Sequence, residues 1–409
     1  MKTNEHLRSQ APSGWNDAAT HPASPRYPMP DLTTPFVVFD DVRADGEAVL
    51  YSDPHEIIAA HTLEEILPAL MRLRRGVAKG SHAAGYLSYE AGFAFEQRLH
   101  RYSLKPSGVP LLWFGLFGAP NPTRISPSKP IRPPSRSEYW QPQIEQHRYT
   151  RDVGRILSLI DAGDCYQVNY SFDAHFCYPG DPIELYRELR LAQGAGWGGI
   201  LSTGQHTLLS CSPELFFSLS GGTIWTKPMK GTASRGTTPK EDATRKRELR
   251  ENPKECAENL MIVDLLRNDL SRAAVPGTVK VTDLFAIETY PTIHQMTSSI
   301  RADIAPNLDT IDLLMRLFPC GSITGAPKIR AMEIIAEQEQ RQRGAYSGSM
   351  GFITPDGRSA FNVLIRTLQF KVSEQVLHFG VGSGIVRDSV PKAEWNECCW
   401  KARFLSGVT

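Results

Sequence analysis

The sequence predicts an α+β fold with large antiparallel sheets, and three observations predict it. Runs of strand-like alternation and runs of helical spacing both occur. SPELFFSLSGGTIWTK has the form of a hairpin turning at Gly221–Gly222. Neither a fixed-period repeat nor strict strand–helix–strand alternation is present, which sets aside solenoids and parallel doubly wound sheets.

The bulk numbers fit that class. At 409 residues the chain is long enough for a large core, in one big domain or two. Lys+Arg total 45 and Asp+Glu 44, so the basic excess usual in nucleic-acid binders is missing. The seven cysteines are odd in number and show no CxxC pair or Cys/His ligand spacing. They are expected to be reduced thiols of a cytoplasmic protein. The opening MKTNEHLRSQAPSGWND has no apolar core of a signal peptide, and no run approaches the ~18 apolar residues of a membrane helix.

Along the chain, residues 1–33 are polar and rich in Pro, Ser, Asn and Asp, and are expected to form a flexible N-terminal arm. Residues 34–120 form a first structured region. PFVVFDDV has the pattern of a strand, Leu63, Ile66, Leu67 and Leu70 follow helical spacing, and GYLSYE and PLLWFGLF have that of buried strands. Residues 121–147 crowd prolines with Ser, Arg and Asn, either a connector between domains or a long surface loop within one. From 148 to 405 the pattern sharpens. Val153, Ile156, Leu157 and Ile160 mark a helix ended by Gly163. Tyr166, Val168, Tyr170 and Phe172 alternate with Gln167, Asn169 and Ser171, a strand with one polar face. Helices follow over 253–271, near 308–317 and 327–340, and around 391–405.

Several motifs have chemistry available to them, each with a plainer alternative. The 253–271 helix carries Glu255, Glu258, Asp264 and Asp269 beside an apolar run. Glu394 and Glu397 share a face of the last helix. Two such helices can hold one Mg²⁺ between them, or each can be a solvated face. GSITGAPK (321–328) can present amides to an anion where a helix opens near Pro327. GVGSGIV (380–386) suggests a tight sheet-end turn whose amides meet a carboxylate, or a simple bulge. Lys230, before a Gly–Thr turn, is either a pocket nucleophile or an exposed loop lysine. His294 lies on a strand-like run and can be a satisfied core histidine. Arg366, inside the apolar FNVLIRTL, needs an anionic partner, and a substrate carboxylate is a candidate.

The order of the motifs is more specific than any one of them. DCYQVNYS, SCSPELF, KPMKGT, AENLMIVDLLRNDL, FPCGSITGAPKIRAMEII, YSGSMGF, IRTL and GSGIVRDSVPKAEWNE follow one another between residues 164 and 397. This series closely resembles the chorismate-utilising enzymes, which include anthranilate synthase component I, aminodeoxychorismate synthase component I, isochorismate synthase and salicylate synthase. The resemblance covers roughly 149–405, with a looser match before it. It implies a sandwich of large antiparallel sheets with helices outside. It also implies that Glu258 and Glu397, with Glu394 close by, hold Mg²⁺ against the ring carboxylate of chorismate. Arg366, Tyr346, Thr324 and the amides near Gly382 and Gly384 would bind substrate. Glu214 matches a general acid for the departing C4 hydroxyl, and His294 an active-site histidine that positions the ring. Gln167 stands where water-adding members carry a lysine base.

Within that resemblance, Lys230 discriminates. Anthranilate- and salicylate-forming members usually show P-x-A-G-T, whereas Pro228–Thr232 resembles the P-x-K-G-T of members that make 4-amino-4-deoxychorismate, a precursor of 4-aminobenzoate and folate. The implied mechanism is covalent, through Lys230. No cysteine sits in a nucleophile-elbow pattern, so ammonia is expected from a glutamine amidotransferase partner chain. An anthranilate-forming enzyme and a non-catalytic subunit of the same fold are the alternatives.

Overall fold

A computed structural model describes residues 11–12, 14–15, 27–43, 47–103, 108–125, 140–291 and 293–407. Most of the stretch expected to be an arm, and residues 126–139 of the Pro-rich stretch, lie outside the described residues. The elements in chain order are β1 (Pro35–Asp40), β2 (Glu47–Ser52), β3 (Glu56–Ala60), α1 (Leu63–Ala78), β4 (His82–Leu87), β5 (Leu112–Phe117), β6 (Asn121–Arg124), β7 (Gln141–Pro142), α2 (Gln146–Asp161), β8 (Gln167–Cys177), α3 (Pro182–Gln193), β9 (Gly198–Thr203) and β10 (His206–Ser210). There follow β11 (Leu215–Ser220), β12 (Thr223–Lys227), β13 (Met229–Ser234), α4 (Pro239–Glu251), α5 (Pro253–Ser271), β14 (Lys280–Thr289), β15 (Ile293–Asp303), α6 (Thr310–Leu317), β16 (Gly325–Ala326), α7 (Lys328–Glu339), β17 (Ser349–Ile353), β18 (Ser359–Asn362), β19 (Thr367–Lys371), β20 (Val376–Ile385) and α8 (Pro391–Lys401).

The strands form two ten-stranded sheets. One runs β16-β8-β20-β19-β10-β9-β1-β2-β6, with β7 beside β8. The other runs β13-β15-β12-β11-β18-β17-β4-β5-β3, with β14 beside β15. The expected α+β class with antiparallel sheets therefore holds. Strands between residues 35 and 124 close one end of both sheets, joined to the rest by β1 against β9 and β4 against β17. The first structured region and the second thus share both sheets.

Alternation explains how β1 serves two layers. Val37 and Phe39 join an inter-sheet cluster with Tyr86, Trp113, Met350 and Phe352, while Phe36 and Val38 face the larger cluster that includes helix α1. Trp15 is buried in the inter-sheet cluster. Its indole N–H donates to the Gly198 carbonyl at 2.6 Å, and its ring lies 4.4 Å from that of Phe39. All seven cysteines are free thiols. Among the described residues no helix is long and apolar enough to cross a membrane.

Local chemistry sets the helices that matter for the site. Asn252 caps α5, accepting from the Lys254 and Glu255 amides at 3.0 and 3.3 Å, and Pro253 occupies the first turn. That fixes the start of the helix and with it the facing of Glu255 and Glu258. α8 likewise opens on a proline, Pro391.

Two expectations about local structure need correction. GVGSGIV is not a sheet-end turn. Gly380, Gly382 and Gly384 lie mid-strand in β20, opposite Asp173, Ser171 and Asn169 of β8. The glycines clear room instead: a Cβ at Gly380 would fall 2.1 Å from the Tyr346 ring, and one at Gly384 would lie 3.1 Å from Lys230 Nζ. The helix opening after Pro327 does not present its amides to a cavity either. Lys328 is buried there, paired with Asp269 at 2.5 Å and donating to the Leu317 carbonyl at 2.7 Å.

Candidate active site

A cavity of about 600 Å³ opens where β8 and β20 of one sheet meet β13 and β15 of the other, walled by α5 and α8. Its lining includes Asn169, Glu214, Lys230, Glu255, Glu258, Gln295, Ser322, Tyr346, Arg366, Gly382, Gly384, Glu394, Glu397 and Lys401. Residues far apart in sequence thus converge. Lys230, Glu214, Tyr346, Arg366, Gly382, Gly384, Glu258, Glu394 and Glu397 are all brought together as expected positions. Gln167, Thr324 and His294 are not among the lining residues.

Lys230 projects from β13. Its Nζ lies 3.0 Å from Glu258 Oε2 and against the bare backbone of Gly384, with the Gln167 amide also beside that glycine. The exposed-loop alternative is thereby excluded for this lysine. Glu214 lines the same cavity, buried, accepting a hydrogen bond from the Ser322 hydroxyl at 2.7 Å. Burial pushes its carboxyl up to about 7, against the opposing pull of the Ser322 and Met229 hydrogen bonds and the charges of Arg366 and Lys230. A carboxyl poised there can give up a proton near neutral pH. Arg366, at φ +50°, donates to Gln193 Oε1 at 2.9 Å, and burial lowers its pKa; a guanidinium keeps its charge regardless. It therefore offers a fixed cation to an anionic ligand.

Further carboxylates from α5 and α8 line the cavity. Glu258 meets Lys230, and more distantly Lys254 at 3.9 Å. Glu397 pairs with Lys401 at 2.7 Å; burial would raise its pKa, but Lys401 and Lys230 outweigh burial and hold it down. Glu255 is pushed up by burial and by its neighbour Glu258. Glu394 accepts from the Ser389 hydroxyl at 2.7 Å. Among the described residues no three His, Cys, Asp or Glu side chains form a ready-made metal cage. The other two acids of α5 have different surroundings: Asp264 pairs with Arg267 on the surface, and Asp269 with buried Lys328.

The three positions off the lining have physical reasons. Strand alternation sends His294 away from the cavity and Gln295 into it. His294 is fully buried, 2.8 Å from Asp242 and 3.2 Å from the Thr289 hydroxyl, as a satisfied core histidine would be. Thr324 closes its own turn, donating to the Cys320 and Gly321 carbonyls. Gln167 is buried behind Gly384, and among the described residues its Oε1 has no hydrogen-bond partner, as also holds for Asn169 Nδ2.

Sequence reasoning did not single out Lys401, Ser322, Gln295 or the supporting Arg343. Lys401 follows Glu397 by four residues on one helix, a spacing that signals a pair. Ser322 and Gln295 had no such signal, because their partners lie far from them in sequence. Arg343 is buried behind the site. It pairs with Glu339 at 2.6 Å and donates to the carbonyls of Asn169 and Ile323 at 2.5 and 3.0 Å, tying two cavity walls together.

Comparison with known proteins gives this geometry a context. The chorismate binding enzyme family matches residues 35–407. Aminodeoxychorismate synthase component 1 of Escherichia coli (strain K12) is 41% identical over 258 residues, 63% of this chain and 56% of that protein. Anthranilate synthase component 1 of Streptomyces coelicolor is 38% identical over 293 residues, 70% of this chain and 57% of that one. The matched stretch thus spans less than two thirds of either relative. In fold, the chain is similar to anthranilate synthase component I from Streptococcus pneumoniae, with a TM-score of 0.74 at 22% identity over 95% of this chain and 96% of that one. It is also similar to the menaquinone-specific isochorismate synthase of Escherichia coli, with a TM-score of 0.72 at 17% identity over 93% of this chain and 91% of that one.

Proposed function

Because the chain belongs to the chorismate binding enzyme family, we propose that it converts chorismate and ammonia to 4-amino-4-deoxychorismate, with ammonia supplied by a separate glutamine amidotransferase. Relatives named for this product and for anthranilate match at similar identity, so the choice rests on one observation. Lys230 stands in the cavity, on β13 within the P-M-K-G-T segment, and the buried acid Glu214 lines the same cavity. The component 1 names of the relatives support a partner chain.

In this reading Arg366 and Tyr346 hold the substrate's carboxylates. Lys230, as the free amine, attacks C2 of chorismate. The ring double bonds shift, the C4–O bond breaks, and protonated Glu214 gives its proton to the departing hydroxyl, which leaves as water. Ammonia then bonds to C4 with return of the double bonds. The C2–nitrogen bond breaks, Lys230 leaves as the neutral amine with both its hydrogens, and the C4 ammonium returns one proton to the Glu214 carboxylate. Holding both partners in one cavity supplies much of the acceleration. Hard carboxylate oxygens on two facing helices fit Mg²⁺, which binds through one or two carboxylates, water and an anionic substrate group. Glu258 and Glu397 would hold it, with Glu394 beside them, in place of their present lysine partners. Bound there, Mg²⁺ supplies positive charge for the ring carboxylate.

The test is product identification by mass from chorismate, ammonium salt and Mg²⁺, with and without an added aminodeoxychorismate lyase. The expected product is 4-amino-4-deoxychorismate, turned to 4-aminobenzoate only when lyase is present. Prompt anthranilate fluorescence without lyase would sink the proposal in favour of the anthranilate alternative. Lys230→Ala should form no aminodeoxychorismate while remaining folded.

A further inference from the structure

Lys230 reaches the cavity because β13 breaks its ladder at that point. Met229 pairs with Thr297 and Thr232 with Gln295 of β15. Lys230 and Gly231 therefore oppose the single residue Met296, which is a β-bulge, and Gly231 takes φ +100° to make it. A bulge re-aims a side chain and takes its carbonyls out of the ladder. Buried carbonyls need donors, and here side chains provide them.

Asn259, wholly buried on α5, donates its Nδ2 to the Lys230 carbonyl at 3.1 Å. Its Oδ1 accepts from the Ser298 hydroxyl at 2.6 Å, which fixes the amide's orientation. The Ser298 amide in turn donates to the Pro228 carbonyl at 3.2 Å. Gln295 donates to the Gly231 carbonyl at 2.7 Å and accepts from the Thr232 hydroxyl at 2.9 Å. Glu258, the residue before Asn259, meets the amine of the same lysine. One helix thus grips both the backbone and the head of Lys230.

We propose that Asn259 is a positioning residue: backed by Ser298 and flanked by Gln295, it locks the bulge so that the Lys230 amine stands beside Gly384 in the cavity. This rests on the nucleophile role given to Lys230 above. Attack requires the amine within about 3–3.5 Å of the reacting carbon, and a displacement of about 1 Å can cost on the order of 10²-fold in rate. Neither Asn259 nor Ser298 is among the residues that line the cavity, so substrate binding is separable from aim.

The test compares Asn259→Ala, Asn259→Asp and Ser298→Ala with the unaltered chain, using chorismate, ammonium and Mg²⁺. Asn259→Ala should lose on the order of 10²-fold in kcat, with KM for chorismate within about threefold. Ser298→Ala should show a smaller loss in the same direction. Asn259→Asp keeps the shape but puts a carboxylate where the Lys230 carbonyl needs a donor, so it should lose kcat as Asn259→Ala does, again with KM little changed, a split that a merely structural defect would not produce. A second readout is the rate at which a small amine-reactive reagent labels Lys230 in the substrate-free protein, mapped by peptide mass. It should change in all three variants. Ser298→Ala removes one hydroxyl and carries the test if the Asn259 variants do not fold. Unchanged kcat and unchanged Lys230 labelling in the folded variants overturn the proposal, even where Lys230→Ala is inactive. A Lys230→Ala chain with full turnover removes the nucleophile role instead, while altered labelling in the Asn259 variants still upholds the positioning.

Discussion

Replacing Glu214 with glutamine separates its proton from its shape. The amide oxygen can still accept from Ser322 at the observed 2.7 Å, so the cavity wall is kept and only the acid is lost. If Glu214 protonates the departing hydroxyl, kcat should fall about 10²- to 10⁴-fold, the usual worth of a positioned acid, with chorismate binding retained. Stability should move the other way. The folded carboxyl titrates at about 7, against an ordinary value of 4.5. Between those limits the folded chain holds a proton that the unfolded chain releases, so stability falls as pH rises through the window. At about 1.4 kcal/mol per pH unit, ionising the buried group costs about 3 kcal/mol by pH 8 and under about 1 kcal/mol at pH 5. Urea denaturation of both chains at the two pH values should show Glu214→Gln gaining about 2 kcal/mol relative to the unaltered protein on going from pH 5 to pH 8. Product assays by mass complete the experiment. Turnover within a few-fold of the unaltered chain would refute the acid role, and a stability difference equal at both pH values would refute the burial argument.

Other consequences are as direct. Arg366→Lys replaces a planar fork with a point charge. It should raise KM for chorismate about 10- to 100-fold, the worth of one or two hydrogen bonds to a charged group. Glu397→Gln should raise the Mg²⁺ concentration for half-maximal activity at least about tenfold, read from an activity titration; an unchanged curve would remove it as a ligand. Arg343→Met leaves buried Glu339 to its longer pairing with Arg341 at 3.3 Å and should destabilise the fold by about 3 kcal/mol, whereas the double change with Glu339→Met should be milder. Thermal melts of the two variants decide that.

What the sequence made legible follows the range of the interactions involved. The 253–271 helix is readable because its proline, its cap and its apolar spacing are local, and the observed bounds agree. The strand at 167–177 is readable by alternation, but its polar face carries a different meaning. Gln167, Asn169 and Ser171 are buried, and Glu339 at the end of helix α7 accepts from the Ser171 hydroxyl. The glycines of β20 could be seen but not interpreted. Their use depends on Tyr346 and Lys230, which sit on other elements. The same holds for His294 and Gln295: a one-residue step along a strand decides which faces the cavity, and only the register with β13 fixes it.

The junction of the two structured regions has a consequence for how the molecule can be divided. Residues up to Ile125 supply an uninterrupted block of strands at the end of each sheet, and everything after 140 supplies the rest. Two main-chain seams join the blocks, β1 to β9 and β4 to β17. A gene divided between 125 and 140 would therefore yield two pieces, each left with two bare strand edges and half of an apolar interior. Made apart, such pieces would offer those edges to any strand they met. Made together, they would offer them to each other, and the protein would reassemble along lines already drawn in its sheets.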